Sequence, residues 1–470
     1  MTTKTNLKSR RAFIAQTGII TTGISIGVNS VSAASYNRII GSNDKVRMGF
    51  IGVGNRGSQL LKIFMDQPDC QIAALCDVYE PYVTRDRSKV DPRYLQDRPL
   101  QIPPMGENFQ NKVERYSDYH KLLENKDIDG VCIATPDHWH ALMTIDAIKA
   151  GKDVYVEKPL SRTIQEGRTM VNAGKNSKQI ITVGLNRRAA PTFQKLAKEI
   201  PQGKIGKITF ASSNYVSNMF PVGIGKMKPE NPPKDFNWDA WLGPKPYRPY
   251  QYNIAPYMFR WWGEYCNQLC NNGVHYLDLI RWMLNEQAPT YISAFGEKLA
   301  VEDDRTIPDT MQVTYEFPSG RIVTFNLLEA SSGNFVPYGF IEMRGTNGTL
   351  YANENDYKIV PTTPGQFQKW KKQMEGEEYK LGVTEGTARD NSNLNSTVNL
   401  IRNFLDCVKS RQTPFSTLEE GHRSTTMAHL ATISMMVKQR LHWDPVKEVF
   451  LNSKEANKLL SYEYRQPYKL

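Results

Sequence analysis

Gly52-Val53-Gly54-Asn55-Arg56-Gly57, with Asp77 twenty positions after the last glycine, has the composition and spacing of a dinucleotide cradle. Gly52 permits a tight turn, Gly54 lets the backbone approach a pyrophosphate, and Gly57 lets the following helix pack close to the strand before it. A carboxylate at Asp77 accepts hydrogen bonds from the ribose 2′ and 3′ hydroxyls and repels a 2′ phosphate, which favours NAD over NADP. Two other side chains can move protons. Lys158, in Glu157-Lys158-Pro159, becomes a base when desolvated beside a cationic nicotinamide, and His275 titrates near the working range and can relay a proton. Each also has a plainer reading: Lys158 as a surface lysine after a strand, His275 as a helix-start histidine ahead of the apolar face Leu277, Leu279, Ile280 and Trp282. His138 and His140 lack a third ligand at recognisable spacing, so no metal site is expected. Cys266 and Cys270, four apart on one expected helix face, are poorly placed for a mutual disulfide and are assigned no chemistry.

The elements that must position these groups follow from the apolar pattern. Lys45–Ile51 reads as a buried strand entering the glycine turn, with a helix over Ser58–Met65 and a strand Ile72–Cys76 delivering Asp77. Strands at Gly130–Ala134, Asp153–Val156 and Ile180–Gly184 alternate with helices at Tyr119–Glu124, His138–Lys149 and Ile164–Ser177. This repetition predicts a parallel sheet with helices on both faces. Such sheets bind ligands at the carboxyl ends of their strands. The segments of interest are therefore Thr135-Pro136-Asp137-His138-Trp139-His140, Glu157-Lys158-Pro159 and Leu185-Asn186-Arg187-Arg188.

From about Lys207 the pattern changes to strands joined by turns: Ile208–Tyr215, Tyr291–Leu299, Met311–Phe317, Ile322–Leu328, Phe340–Arg344 and Thr349–Ala352. Turns such as Thr346-Asn347-Gly348 predict hairpins, hence an open, mostly antiparallel sheet. Between its first two strands lies an insertion, Pro221–Asn272, rich in Pro, Trp and Tyr, which reads either as a binding loop offering rings to a sugar face or as a packed structural loop. A polar stretch Glu375–Ser396 precedes helices over Thr397–Ser410 and Gly421–Gln439, expected to return and cover the first domain. The fold class is therefore α/β: a Rossmann domain over 45–185 and an α+β domain over 186–470 for substrate and oligomer contacts.

Composition narrows the function classes. At 470 residues, 40% hydrophobic and 23% charged, the chain is globular and too long for one ordinary core. No uncharged apolar run approaches the roughly 18–20 residues of a spanning helix, so no membrane partner is expected. Six cysteines are too few and too irregular for a disulfide scaffold. The net charge of +11 is partly carried by Lys4, Lys8, Arg10 and Arg11, in a segment without acids, and the remaining cations are dispersed among acids. Nucleic acid is therefore not an expected partner. Twin arginines in Ser9-Arg10-Arg11-Ala12-Phe13-Ile14, a mildly apolar Thr17–Val28 and the small-residue site Val31-Ser32-Ala33-Ala34 read as a Tat-type export signal over 1–34, with a linker at 35–44. A periplasmic or secreted location is the corresponding expectation.

Nearly the whole remaining chain resembles the Gfo/Idh/MocA oxidoreductases. The likeness rests on the glycine turn, Thr135-Pro136-x-x-x-His140, Glu157-Lys158-Pro159 and Asn271-Asn272-Gly273-Val274-His275-Tyr276-Leu277-Asp278. Trp238-Asp239-Ala240-Trp241-Leu242-Gly243-Pro244 and Tyr464-Arg465-Gln466-Pro467-Tyr468 resemble a bacterial branch with an extended C-terminal region. The resemblance implies NAD over the strand ends and a sugar or cyclitol on the open sheet, whose outer face commonly pairs two subunits. By matching positions, Asn55, Arg56, Asp77, Asp137, His138, Trp139, His140, Glu157, Lys158 and Asn186 contact NAD, alongside Thr135, Pro136 and the three glycines. Lys158 also reaches the substrate hydroxyl, and His275 matches the catalytic histidine. Many members have Asp where this chain has Asn271, and an amide can orient a hydroxyl but cannot take its proton.

Export adds a further expectation. A folded enzyme outside the cytoplasm meets little free NAD, so the cofactor is expected to be tightly bound and regenerated within each cycle. Redox exchange between sugars, or 3-dehydrogenation, satisfies this; so does NAD-dependent glycoside hydrolysis by transient oxidation at C3 and elimination. A catalytically silent protein that binds NAD and sugar is the third reading, supported only by Asn271.

Overall fold

The computed structural model describes residues 45–96, 105–334, 336–367, 369–381 and 395–470. The expected export signal and linker lie outside the described residues. Six strands form the first sheet: β1 (Val46–Ile51), β2 (Cys70–Cys76), β3 (Glu114–Tyr116), β4 (Gly130–Ile133), β5 (Asp153–Val156) and β6 (Ile181–Val183). Their order is β3-β2-β1-β4-β5-β6, and every pairing is parallel. Strands such as Gly130–Ile133 and Asp153–Val156 are buried at every residue because helices cover both faces, which is why they read as unbroken apolar runs. The order reverses between β1 and β4, and that crevice is where such sheets take ligands.

A second sheet is built from β7 (Ile208–Val216), β8 (Tyr291–Glu297), β9 (Thr310–Glu316), β10 (Ile322–Leu328), β11 (Ile341–Gly345), β12 (Gly348–Ala352), β13 (Asp356–Pro361), β14 (Glu377–Lys380), β15 (Leu441–Asp444) and β16 (Val449–Phe450). The order is β14-β13-β12-β11-β7-β10-β9-β8-β15-β16, antiparallel except for β7 beside β10. One face is covered and one open, so burial alternates along β9: Met311, Val313 and Tyr315 are buried between partly open neighbours. The α/β fold class and the open antiparallel sheet are as expected. The sequence pattern missed β3 and β13–β16. Glu114-Arg115-Tyr116 has no apolar run, and β14–β16 are two- to four-residue strands whose backbone pairing to a neighbour holds them in place.

The two sheets are joined by helices returning from the far part of the chain. The helix Ser396–Ser410 places Phe404 against Phe64 and Tyr155, with ring centres 6.2 and 6.0 Å apart. It also sets Arg402 and Lys409 on the buried Asp69 at 2.6 and 2.5 Å. Against the cost of burial, those two cations hold the Asp69 carboxyl down at about 2. The helix Leu418–Val437 lies on Ile164–Lys175. Arg168 bridges Glu419 and Glu448 at 2.9 and 2.6 Å, and the Thr425 hydroxyl accepts from Leu160 N–H at 3.1 Å. Gly167 and Gly421 permit this closeness. A Cβ on Gly167 would meet His422 Nδ1 at 2.5 Å, and one on Gly421 would meet Val183 at 2.7 Å.

Candidate functional site

The glycine turn runs directly from β1 into the helix Asn55–Met65, three residues earlier than the pattern predicts. Gly52 has φ +84°, which a side chain disfavours, and a Cβ there would meet the Ala134 backbone at 2.9 Å. At Gly57 a Cβ would fall 2.0 Å from the Gly52 carbonyl oxygen. Gly52 and Gly54 line one wall of a cavity of about 830 Å³ that extends across the ends of β1, β2, β4 and β5 to the second sheet's side of the molecule.

At the end of β2, Asp77 accepts from Val53 N–H at 2.8 Å and Tyr79 N–H at 3.1 Å. Its enclosure pushes the carboxyl up to about 6 despite those amides. Arg56 donates to Glu157 at 2.8 Å, and the other Glu157 oxygen accepts from Lys158 N–H at 3.1 Å. Asn186 is held by the Ser396 and Thr397 hydroxyls at 2.9 and 3.2 Å, which ties this wall to the returning helix. Thr135, Pro136, Asp137 and Trp139 also line the cavity. Asp137 is buried, with Oδ2 lacking a partner among the described residues. A backbone cradle with no room for a Cβ, a carboxylate fixed at the end of β2 and an orphaned carboxylate oxygen match what a dinucleotide with two riboses requires.

Three residues expected at the cofactor are not among the cavity's lining residues. Gly57 does not line the cavity; it serves as the packing surface between helix and turn. His138 is buried, with Nε2 2.9 Å from the Trp241 carbonyl, and burial pushes its imidazole down to about 3. His140 sits with Nδ1 2.7 Å from the Pro159 carbonyl and Nε2 2.9 Å from that of Thr135. The two imidazoles hold these carbonyls and are absent from the cavity's lining. Spacing along the chain could not show which face of the helix each occupies. Among the described residues no group of three His, Cys, Asp or Glu is placed to hold a metal.

Opposite the glycine turn, the segment Leu269–Gly273 makes a π-helical turn that leads into the helix Val274–Leu284. The wider turn brings Asn271, Asn272 and His275 to the cavity together with Lys158. Lys158 Nζ donates to the Asn271 carbonyl at 2.6 Å and to its Oδ1 at 3.0 Å. Asn271 Nδ2 donates in turn to Gln268 Oε1 at 3.1 Å, which fixes the amide orientation. Enclosure, reinforced by Arg260 and opposed by Glu157, pushes the Lys158 ammonium down from the usual lysine range. Enclosure together with Arg187 and Lys158 pushes His275 well below the usual range, so its ring is neutral near pH 7, and Nδ1 has no partner among the described residues. A neutral imidazole and a lysine poised towards neutrality can pass a proton to and from a bound hydroxyl.

The insertion over residues 221–272 forms the rest of the wall. It carries the helix Trp238–Leu242 and the turn Met258–Trp261, and contributes Phe236, Trp241, Tyr257, Phe259 and Arg260 to the lining. The Trp241 carbonyl accepts from Trp139 Nε1 at 3.0 Å, and Gly243 leaves room for that indole, since a Cβ there would meet it at 2.2 Å. Pro467 and Tyr468 reach the cavity as well, with Tyr468 edge-on to Trp139 at 5.4 Å. Cys266 precedes the π turn instead of sharing a helix face with Cys270, because the Asn267 side chain accepts from Cys270 N–H at 2.8 Å and starts the turn after it. Sequence reasoning missed Gln268, Asn272 and Arg260. The aromatic density of the insertion was the available signal.

Comparison with known proteins gives a consistent family signal. A family model described as an oxidoreductase family, NAD-binding Rossmann fold, matches residues 46–185, and its C-terminal alpha/beta partner matches 192–361 and 385–470. A glycosyl hydrolase family 109 protein of Shewanella sp. strain ANA-3 and an alpha-N-acetylgalactosaminidase of Shewanella oneidensis are each 28% identical over 223 residues, 45% of this chain. The match spans 46% of each relative's length. Among solved structures, levoglucosan dehydrogenase in complex with NADH and levoglucosan superposes with a TM-score of 0.61 at 16% identity, over 87% of this chain and all of that one. The WlbA dehydrogenase of Bordetella pertussis, with NADH and UDP-GlcNAcA, gives 0.59 at 18% identity, over 85% and 98%. At those identities the solved structures share the fold.

Proposed function

The chain belongs to the Gfo/Idh/MocA oxidoreductase family, its cofactor is NAD, and from that premise we propose that it oxidises a secondary hydroxyl of a sugar, glycoside or cyclitol while keeping NAD bound and regenerating it within each cycle. The observation that carries this reading is the meeting of Lys158, Asn271 and His275 in the same cavity as the glycine turn. Bound NAD supplies the hydride acceptor. Lys158, held by Asn271 and depressed by its enclosure, takes the hydroxyl proton. His275, neutral and with a free ring nitrogen, shares that proton and returns it when the carbonyl is reduced. Tyr257 and Phe259 line the wall beside them. Asn271 positions Lys158 and takes no proton itself.

The relatives named for glycosyl hydrolase family 109 favour a second reading. Here transient oxidation at C3 acidifies the C2 hydrogen, the aglycone leaves C1, water adds and the ketone is reduced again. The same Lys158 and His275 would serve it. Both readings close the redox cycle inside the protein, and both fit export of a preloaded enzyme by the Tat-type signal proposed for residues 1–34.

The test is to denature purified protein prepared without added nucleotide and assay what is released. About one NAD(H) per chain supports a captive cofactor; none, together with weak NAD affinity, overturns it. Solvent deuterium entering C2 of a glycoside during aglycone release selects the second reading.

A further inference from the structure

The substrate wall of the cavity holds a cation that the chemistry above leaves without a task. Arg260 sits in the turn Met258–Trp261, with its guanidinium carbon 4.0 Å from the Tyr257 ring centre and 4.6 Å from that of Phe259. Nη1 donates to the Tyr257 carbonyl at 2.7 Å. That uses one of five N–H donors, and no carboxylate among the described residues lies within ion-pair distance. Arginines nearby are settled differently: Arg56 is on Glu157 at 2.8 Å, Arg187 on Glu354 at 2.7 Å and Arg188 on Asp278 at 2.8 Å.

The acids of the cavity wall are committed elsewhere. Glu157 holds Arg56, Asp77 holds two backbone amides, and Asp118 accepts from His120 N–H. Asp137 remains, with one orphaned oxygen, and can offset one cation. Lys158 rests on neutral oxygens of Asn271, and His275 is neutral. No ion pair among the described residues engages Arg260, whose one protein partner is the Tyr257 carbonyl. Its guanidinium lies over the Tyr257 and Phe259 rings and its edge keeps free donors, a preorganised fork suited to a planar anion.

We propose that Arg260 receives a carboxylate of the substrate, so that the molecule oxidised is a sugar acid of the uronate type or its glycoside. The proposal rests on the oxidoreductase reading and narrows its substrate class. A sugar phosphate or sulfate would use the same charge, and the experiment separates these sources.

The NAD-loaded protein is mixed with matched pairs: methyl glucoside against methyl glucosiduronate, and methyl galactoside against methyl galactosiduronate, with glucose 6-phosphate and glucose 6-sulfate as tetrahedral anions. Reduction of bound nicotinamide reads turnover, and tryptophan fluorescence reads binding. In at least one pair the acid is expected to be favoured about 10- to 100-fold, the scale of a charge-assisted hydrogen bond. Arg260→Gln should bring that ratio near one through KM, with bound NAD(H) retained, and Arg260→Lys should restore part of it. Equal treatment of acid and neutral sugar in every pair overturns the proposal, as does preference for the phosphate or sulfate over the uronates. Loss of NAD from Arg260→Gln also overturns it, since Arg260 would then serve the cofactor. If no sugar reduces the nicotinamide, the oxidoreductase reading fails, while the fluorescence ratio still decides for or against carboxylate recognition.

Discussion

At the glycine turn Arg56 meets Glu157 at 2.8 Å and Asp77 takes two backbone amides, whereas across the same cavity Lys158 and Arg260 rest on neutral oxygens alone. In the first wall Arg56 and Asp77 are partnered within the protein; the second keeps cationic donors available. A cradle of partnered groups and close-packed glycines suits a ligand that stays. A wall of depressed or unpaired cations suits a ligand that is transformed and replaced.

Substitutions can break the contrast from either side. The largest effect is expected on the second wall: Lys158→Ala should lower kcat by about 10²–10⁴-fold while bound nucleotide, measured after denaturation, stays unchanged. Loss of nucleotide instead would make Lys158 part of the cradle. On the first wall, Gly57→Ala forces a Cβ to within 2.0 Å of the Gly52 carbonyl oxygen. It should cost about 1–3 kcal/mol of stability by thermal melting and release the nucleotide. A variant that keeps both would show that the turn is not the cradle's limit. The smallest effect sharpens the comparison. Asn271→Asp places a negative charge where Oδ1 now lies 3.0 Å from Lys158 Nζ, which favours the ammonium and raises its pKa. Because the neutral amine is the base, the acidic limb of the kcat/KM profile should move to higher pH by about one unit. An unmoved limb would remove Lys158 from the base role.

The same contrast explains what could be read from the sequence. The first wall is local: Gly52, Gly54, Gly57 and Asp77 span one strand, one helix and the next strand, so spacing alone locates the turn and the acid. The parallel strands other than β3 were legible because burial on both faces leaves unbroken apolar runs. The second wall is assembled across more than a hundred residues, from Lys158 to Arg260, Asn271 and His275. Family resemblance supplied Lys158, Asn271 and His275, but nothing in the sequence placed Arg260 beside them. His138 and His140 went the other way. The resemblance implied a cofactor contact for both; the structure shows that they also hold the carbonyls of Trp241 and Pro159, and such partners are not visible in a motif.

Pro467 and Tyr468 line a cavity whose opposite wall begins at residue 51, and Asp69 is clasped by Arg402 and Lys409. This geometry sets a timetable for synthesis. A ribosome that has made the first sheet has not yet made the helix that seals Phe64, nor the residues that complete the nucleotide cavity. The apolar surface around Phe64 is covered only when Phe404, about 220 residues beyond the last strand of the first sheet, has followed. A cavity wall that includes Pro467 and Tyr468 is complete only once those residues have been made.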